Sequence, residues 1–238
     1  MRCGAVLRRG TERASRKRRA WKTAPASAGL ALCAAFAGST NIGAQSSDMT
    51  LADPARMMNS GERVDFTGAN RLSLEETPMG LCLRSTPHSS ATGLYQSVEV
   101  SPDRLSRIEW LWQVDKIHRT ADIRELSRED FAAKIAFVFG EPSFFDRDVP
   151  TIAYVWSSTP VENGSIIASR RYANLRYVQL HGNVEAGTWQ REQRNVADDF
   201  TRAFGTPPRT LRYIALFNDN DQTHEPASAL FGAIYARR

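Results

Sequence analysis

The chain has 238 residues, enough for one domain or one domain with an appendage, and its 42% apolar content is ample for a packed core. Its formal charge of +5 suggests a polyanion as partner, but nine of the 31 Lys/Arg and only one of the 26 Asp/Glu lie in residues 1–44. The remaining 22 basic and 25 acidic residues give a net charge of −3, which excludes a clustered phosphate-backbone binder.

Residues 1–44 have the three zones of an export signal: a basic stretch ending at Arg16–Arg19, an apolar stretch over Ala28–Ala37, and small residues ending at Ala44. The expected location is therefore periplasmic or secreted, with cleavage near Ala44. Arg18-Arg19 lacks the flanking residues of a twin-arginine signal, so the general secretory route is preferred. Cys3 and Cys33 would leave with the signal. Cys82 then has no partner and reads as a buried thiol in Leu81-Cys82-Leu83. No run in the mature chain is long enough to span a membrane.

Residues 45–61 read as a linker or short helix, and 62–238 as the folded domain. Within it, Ile108, Trp110, Trp112 and Val114 alternate with more polar neighbours, which predicts a strand with both tryptophans on one face. Ala133–Phe139, Ile152–Trp156, Leu175–Gln179 and Leu211–Phe217 repeat that period. Weaker strands are predicted at Val64–Thr67, Arg71–Leu74, Leu81–Ser85, Leu94–Val100, Ser165–Ser169 and Leu230–Ala236. Asn163-Gly164 is read as a hairpin turn between two such strands. One helix is predicted at about 195–204, with Asn195 as N-cap, Val196, Phe200, Ala203 and Phe204 on one face, and Gly205 as the left-handed stop. Ser127–Asp130 is a second short helix or turn. About ten short strands without a βαβ rhythm specify an all-β sandwich or barrel.

No nucleophile elbow, zinc-protease motif, phosphate-binding loop or dinucleotide fingerprint is present. The four histidines lack ligand spacing, so no metal or cofactor is expected. Three polar constellations stand out. Trp189, Glu192, Arg194 and Asn195 enter the helix; a ring and hydrogen-bonding groups suit a sugar surface, while the preferred reading has Trp189 plugging the sandwich end and Glu192 paired with Arg194. Asp219 and Asp221 alternate in a loop that could hold calcium, although a turn held by its own Asx hydrogen bonds is preferred. Asp122, with Glu125, Glu129 and Asp130, could join Glu192 as acid and base, against the preferred reading of a solvated charged loop.

The blocks Trp110-x-Trp112-x-Val114, Ala121-Asp122, Asp130-Phe-Ala-Ala-Lys134, Tyr154-Val-Trp156, Trp189-x-x-Glu192-x-Arg194-Asn195-Val196-x-x-Asp199-Phe200, Phe204-Gly205-x-x-Pro208 and Asp219-x-Asp221-x-Thr223 resemble the bacterial domain of unknown function 3047 family over residues 60–237. That resemblance implies an exported, jelly-roll-like β-sandwich similar to carbohydrate-binding modules, and no assigned reaction. The chain departs from the family pattern at Leu126, Arg128-Glu129, His224 and Ala233. The leading functional reading is a non-catalytic module for a glycan or envelope ligand, with Trp112, Asp122, Trp189, Glu192, Arg194, Asn195, Asp219 and Asp221 as candidate contacts. An envelope assembly protein, which would show a flat apolar patch, and a carboxylate-dependent glycan hydrolase or lyase are the alternatives.

Overall fold

A computed structural model describes residues 48–141 and 148–238; the expected export segment lies outside them. The chain opens with strand β1 (Met49–Ala52), helix α1 (Pro54–Ser60) and strands β2 (Glu62–Thr67), β3 (Arg71–Thr77), β4 (Gly80–Thr86) and β5 (Ala91–Val100). Then come β6 (Ile108–Lys116), β7 (Ala133–Val138), β8 (Thr151–Trp156), β9 (Ile166–Ala168) and β10 (Leu175–His181). The last elements are β11 (Gln190–Arg194), helix α2 (Val196–Phe204), β12 (Leu211–Asp219) and β13 (Ser228–Ala236).

Two sheets face each other. Sheet A runs β11-β6-β13-β4-β3, with β1 also on β13; sheet B runs β2-β5-β12-β7-β8-β10-β9. Successive strands keep changing sheet: β4 to β5, β5 to β6, β6 to β7, β10 to β11, β11 to β12 and β12 to β13 all cross over. This winding makes the domain a jelly-roll-like β-sandwich. Every predicted strand is found. The stretch 49–60, read as a linker or short helix, supplies β1 and α1, whose Met57 is buried in the core.

The inter-sheet core follows from the period-two pattern of β6. Ile108, Trp110, Trp112 and Val114 all point inward and are fully buried. Trp110 meets Tyr154 at 5.1 Å between ring centroids, and Trp112 meets Trp156 at 5.6 Å in an edge-to-face contact. Helix α2 closes one side, with Phe200 4.6 Å from Phe139. Its ends are as the sequence predicts: the Asn195 side chain accepts from Asp198 N at 3.1 Å, and Gly205 takes φ of 74°.

Two readings change. The apolar set Tyr213, Ala215 and Phe217 does not face the inter-sheet core; Ile214 and Leu216 do. Phe217 instead joins Ile123, Phe131, Val155 and Tyr177 in a second, smaller core on the outer face of sheet B. Both faces of this sheet are apolar, so periodicity finds the strand without fixing which face is inner. Asn163-Gly164 does form a turn, closed by Ser165 N donating to Glu162 O at 3.1 Å, but only Gly164 has positive φ. It does not join paired strands, because β10 lies between β8 and β9 and runs parallel to β8. Among the described residues no helix is long and apolar enough to cross a membrane.

Candidate functional site

The outer face of sheet B is built by cross-strand register. Strand β7 turns Ala133, Ile135 and Phe137 inward, so Lys134 and Ala136 emerge on the other side. Ala136 lies opposite Ala215 on β12 and Ala153 on β8, with Tyr95 of β5 beyond Ala215 and Tyr177 of β10 beyond Ala153. In this row across five strands Tyr95 and Ala136 are partly accessible, while Ala215, Ala153 and Tyr177 are buried, the last two within the second core. Phe66 (51% exposed) and Tyr172 (39% exposed) stand at the margins of the row. Burial, then proximity to Tyr172 and Glu62, pushes the Tyr95 hydroxyl up to about 12. Gly93, beside Phe217 in the next row, has no room for a side chain: a Cβ there would lie 2.8 Å from the Tyr95 ring.

Lys134 occupies that same row. Its Nζ lies 3.7 Å from the Phe217 ring centroid and 4.0 Å from that of Phe131, a pair of cation–π contacts. Next to it Asp130, Asp219 and Asp221 bring carboxylate oxygens within 4.8 Å of one another. Burial raises the Asp219 carboxyl well above the usual range, against the attraction of the Lys134 ammonium. Burial also lowers Lys134, against the pull of Asp219 and Glu129. Glu129 is buried too, accepting from the Tyr177 hydroxyl and from Arg171 Nε, both at 2.8 Å.

The Asp219–Thr223 loop is held from outside. Asp130 accepts Thr223 N and Thr223 Oγ1, both at 2.6 Å, and Gln222 N at 3.2 Å. Asp219 in turn accepts Phe131 N at 2.6 Å. The expected turn held by its own Asx hydrogen bonds is thus replaced by a reciprocal clasp with residues 130–131. Three carboxylates could hold a hard cation through oxygen ligands, but Asp130 spends both oxygens on the loop, and Lys134 is already the local cation.

The other candidate contacts lie elsewhere. Trp112 is buried and donates through Nε1 to Glu192 at 3.2 Å. Glu192 also bonds His181 Nε2, whose ring lies 4.7 Å from Trp156. Arg194 binds Asp199 through two nitrogens, so the expected Glu192–Arg194 pair does not form. Asn195 caps α2, and Trp189 is half-buried just before β11. The expected solvated loop holds only at its tip, where Glu125 is exposed, since Asp122, Glu129 and Asp130 are 4%, 3% and 0% exposed. Asp122 is held by Arg124 and Glu125 by Arg128, which removes the proposed acid–base partnership with Glu192. The structure therefore brings together Asp219 and Asp221, and separately Trp112 and Glu192.

Sequence reasoning gave no role to Lys134, Tyr95, Tyr177 or His118. His118 is fully buried, neither ring nitrogen has a hydrogen-bond partner, and the Asp219 backbone approaches it without closing a bond. Burial holds its pKa below the usual 6.5, against the pull of Asp130 and Glu225. The unfolded ring gains a proton near 6.5, and the folded ring only at a lower pH. Stability is therefore complete above that pH and falls as pH drops through it, by at most about 1.4 kcal/mol per unit. Urea unfolding at pH 7.5 and 5.5 is expected to show a smaller loss of stability in His118→Leu than in the parent protein. Equal losses in both proteins would disprove the assignment.

Two blocks of the family pattern, Asp130–Lys134 and Asp219–Thr223, thus meet at one end of sheet B. A family model described as "Protein of unknown function (DUF3047)" matches residues 62–235. The chain belongs to that family. No curated protein matches this DUF3047 sequence. Solved structures loosely similar to it include the family 11 carbohydrate-binding module of a Clostridium thermocellum cellulosomal cellulase, at 10% identity and a TM-score of 0.39, covering 81% of this chain and 95% of that one. A variant of the Cel12A cellulase of Rhodothermus marinus gives 11% and 0.38, covering 73% and 100%. The glycoside hydrolase domain of Endo-D from Streptococcus pneumoniae R6 gives 10% and 0.37; the match covers 74% of this chain and only 21% of that one.

Proposed function

We propose that this DUF3047 domain is a non-catalytic carbohydrate-binding module that takes its ligand on the outer face of sheet B. The supporting observation is the pair of exposed rings Phe66 and Tyr172 on the face where Tyr95 and Ala136 remain partly accessible. Sugar rings present apolar faces ringed by hydroxyls. Exposed aromatic rings can stack on such faces, and Lys134 and Asp221, both partly accessible, can hydrogen-bond the rim. The assembly reading finds less support. Among the described residues the exposed large apolar side chains are few, namely Phe66, Leu74, Met79, Leu126 and Tyr172, of which only Leu74 and Met79 share one hairpin.

The test is a panel of oligosaccharides titrated against the parent protein and against Phe66→Ala and Tyr172→Ala. Each exposed ring is expected to contribute about tenfold in affinity while leaving the thermal midpoint unchanged. The reading fails if no oligosaccharide binds, or if binding ignores both substitutions.

A further inference from the structure

At one end of the sandwich, strands of sheet A and the loops around Ser89 and His224 line a cavity of about 750 Å³ that the carbohydrate reading does not use. Its wall is a row across four strands. Lys116 of β6 is opposite Ser228 of β13, and Arg71 of β3 is opposite Thr86 of β4. Strand spacing puts the Arg71 and Lys116 backbones about 14 Å apart, a span that two extended cationic side chains can close around a small ligand.

The charges in this wall are unevenly matched. Arg84 is committed: it binds Glu75 at 2.8 Å, Asp115, and Ser228 Oγ at 3.1 Å. That pairing also occupies Asp115, the acid in the wall. Arg71 and Lys116 are both exposed, and among the described residues their side chains have no hydrogen bond or ion pair. Two unpaired cations thus face a hydroxyl-lined hollow in a domain whose own charge is −3. Hydroxyls from Ser73, Thr86 and Ser228 supply further donors.

A second observation concerns the backbone. Ser89 (φ 51°) and His224 (φ 57°) are the two non-glycine residues with positive φ among those described. They meet at the rim of this cavity, His224 Nδ1 lying 3.1 Å from Ser89 Oγ. A left-handed backbone is costly for such residues and persists where the surroundings enforce it, a pattern that clusters at ligand clamps.

We propose that this cavity binds a phosphate-class oxyanion, with Arg71 and Lys116 as its charge partners and the hydroxyls of Ser73 and Thr86 as hydrogen-bond donors. Arg and Lys both favour such groups, the first through its planar fork and the second as a point charge. The anion can be free or carried on a sugar, and the experiment separates the two. The full chain is titrated by calorimetry, in chloride buffer at fixed ionic strength, with inorganic phosphate, glucose 6-phosphate and glucose.

The expected result is saturable binding of at least one phosphate form that depends on Arg71 and Lys116, while any binding of glucose is insensitive to both. Arg71→Gln and Lys116→Gln should each weaken phosphate binding at least fivefold without shifting the thermal midpoint of the unliganded protein. Phosphate forms of equal affinity identify the free anion as ligand; a tighter glucose 6-phosphate identifies a sugar-borne one. No saturable binding of either form, or binding that ignores both substitutions, overturns the proposal. Phe66→Ala and Tyr172→Ala alter the opposite sheet, so the two sites succeed or fail separately.

Discussion

Asp199→Ala is expected to cost the domain about 3–5 kcal/mol, a large part of the stability of a domain this size. Asp199 is 4% exposed and sits where three elements meet. Arg194 from β11 donates to it at 2.8–3.0 Å, the Tyr154 hydroxyl from β8 donates at 2.8 Å, and Arg202 one turn along α2 reaches it at 3.2 Å. Removing the carboxylate strands a guanidinium that is only a quarter exposed and a hydroxyl that is fully buried. Leaving such groups unpaired costs far more than the pair itself contributes. Tyr154→Phe deletes one hydrogen bond and keeps the ion pair, so it should cost only about 1 kcal/mol. Urea unfolding of the two variants gives the comparison; similar losses would show that Asp199 is not the common anchor.

The second large effect is expected at Asp130. Asp130→Ala removes the acceptor for Gln222 N, Thr223 N and Thr223 Oγ1, and should cost about 3 kcal/mol. Unlike the loss of Asp199, this damage is local. The Asp219–Thr223 loop would lose its outside clasp, so amide exchange should accelerate over residues 219–225 while α2 keeps its protection. Asp130→Asn retains one acceptor oxygen and should fall between the two. Unchanged exchange in the loop would show that the clasp is held by something other than Asp130.

These two sites also mark what the sequence discloses. Helix α2 is legible from Asn195, Gly205 and the spacing of Val196 and Phe200, because caps and period are local. Strands β6, β7 and β8 are legible for the same reason. Strand β11 is not, since its inward residues are Gln190, Glu192 and Arg194, and polar alternation carries no hydrophobic signal. Trp189–Asn195 stands out in the sequence as a polar cluster, yet the partners of Glu192 and Arg194 are Trp112, His181 and Asp199, and the first two arrive from other strands. The Asp130 clasp joins segments some ninety residues apart, and no spacing rule encodes that contact. Short-range pattern reveals the elements; the pairing of polar groups across sheets has to be seen in three dimensions.

The place of β13 has one more consequence. It lies between β6 and β4 and also carries β1, so the other five strands of sheet A are joined through the strand that the domain supplies last. A polypeptide made from its N-terminus has β3 with β4 on one side and a place for β6 with β11 on the other, and nothing to join them until residues 228–236 emerge. This half of the sandwich therefore closes only after β13, the last strand of the domain, has been made. Through all that time the inner faces of β4 and β6, with Trp110 and Trp112 among them, have no finished sheet around them.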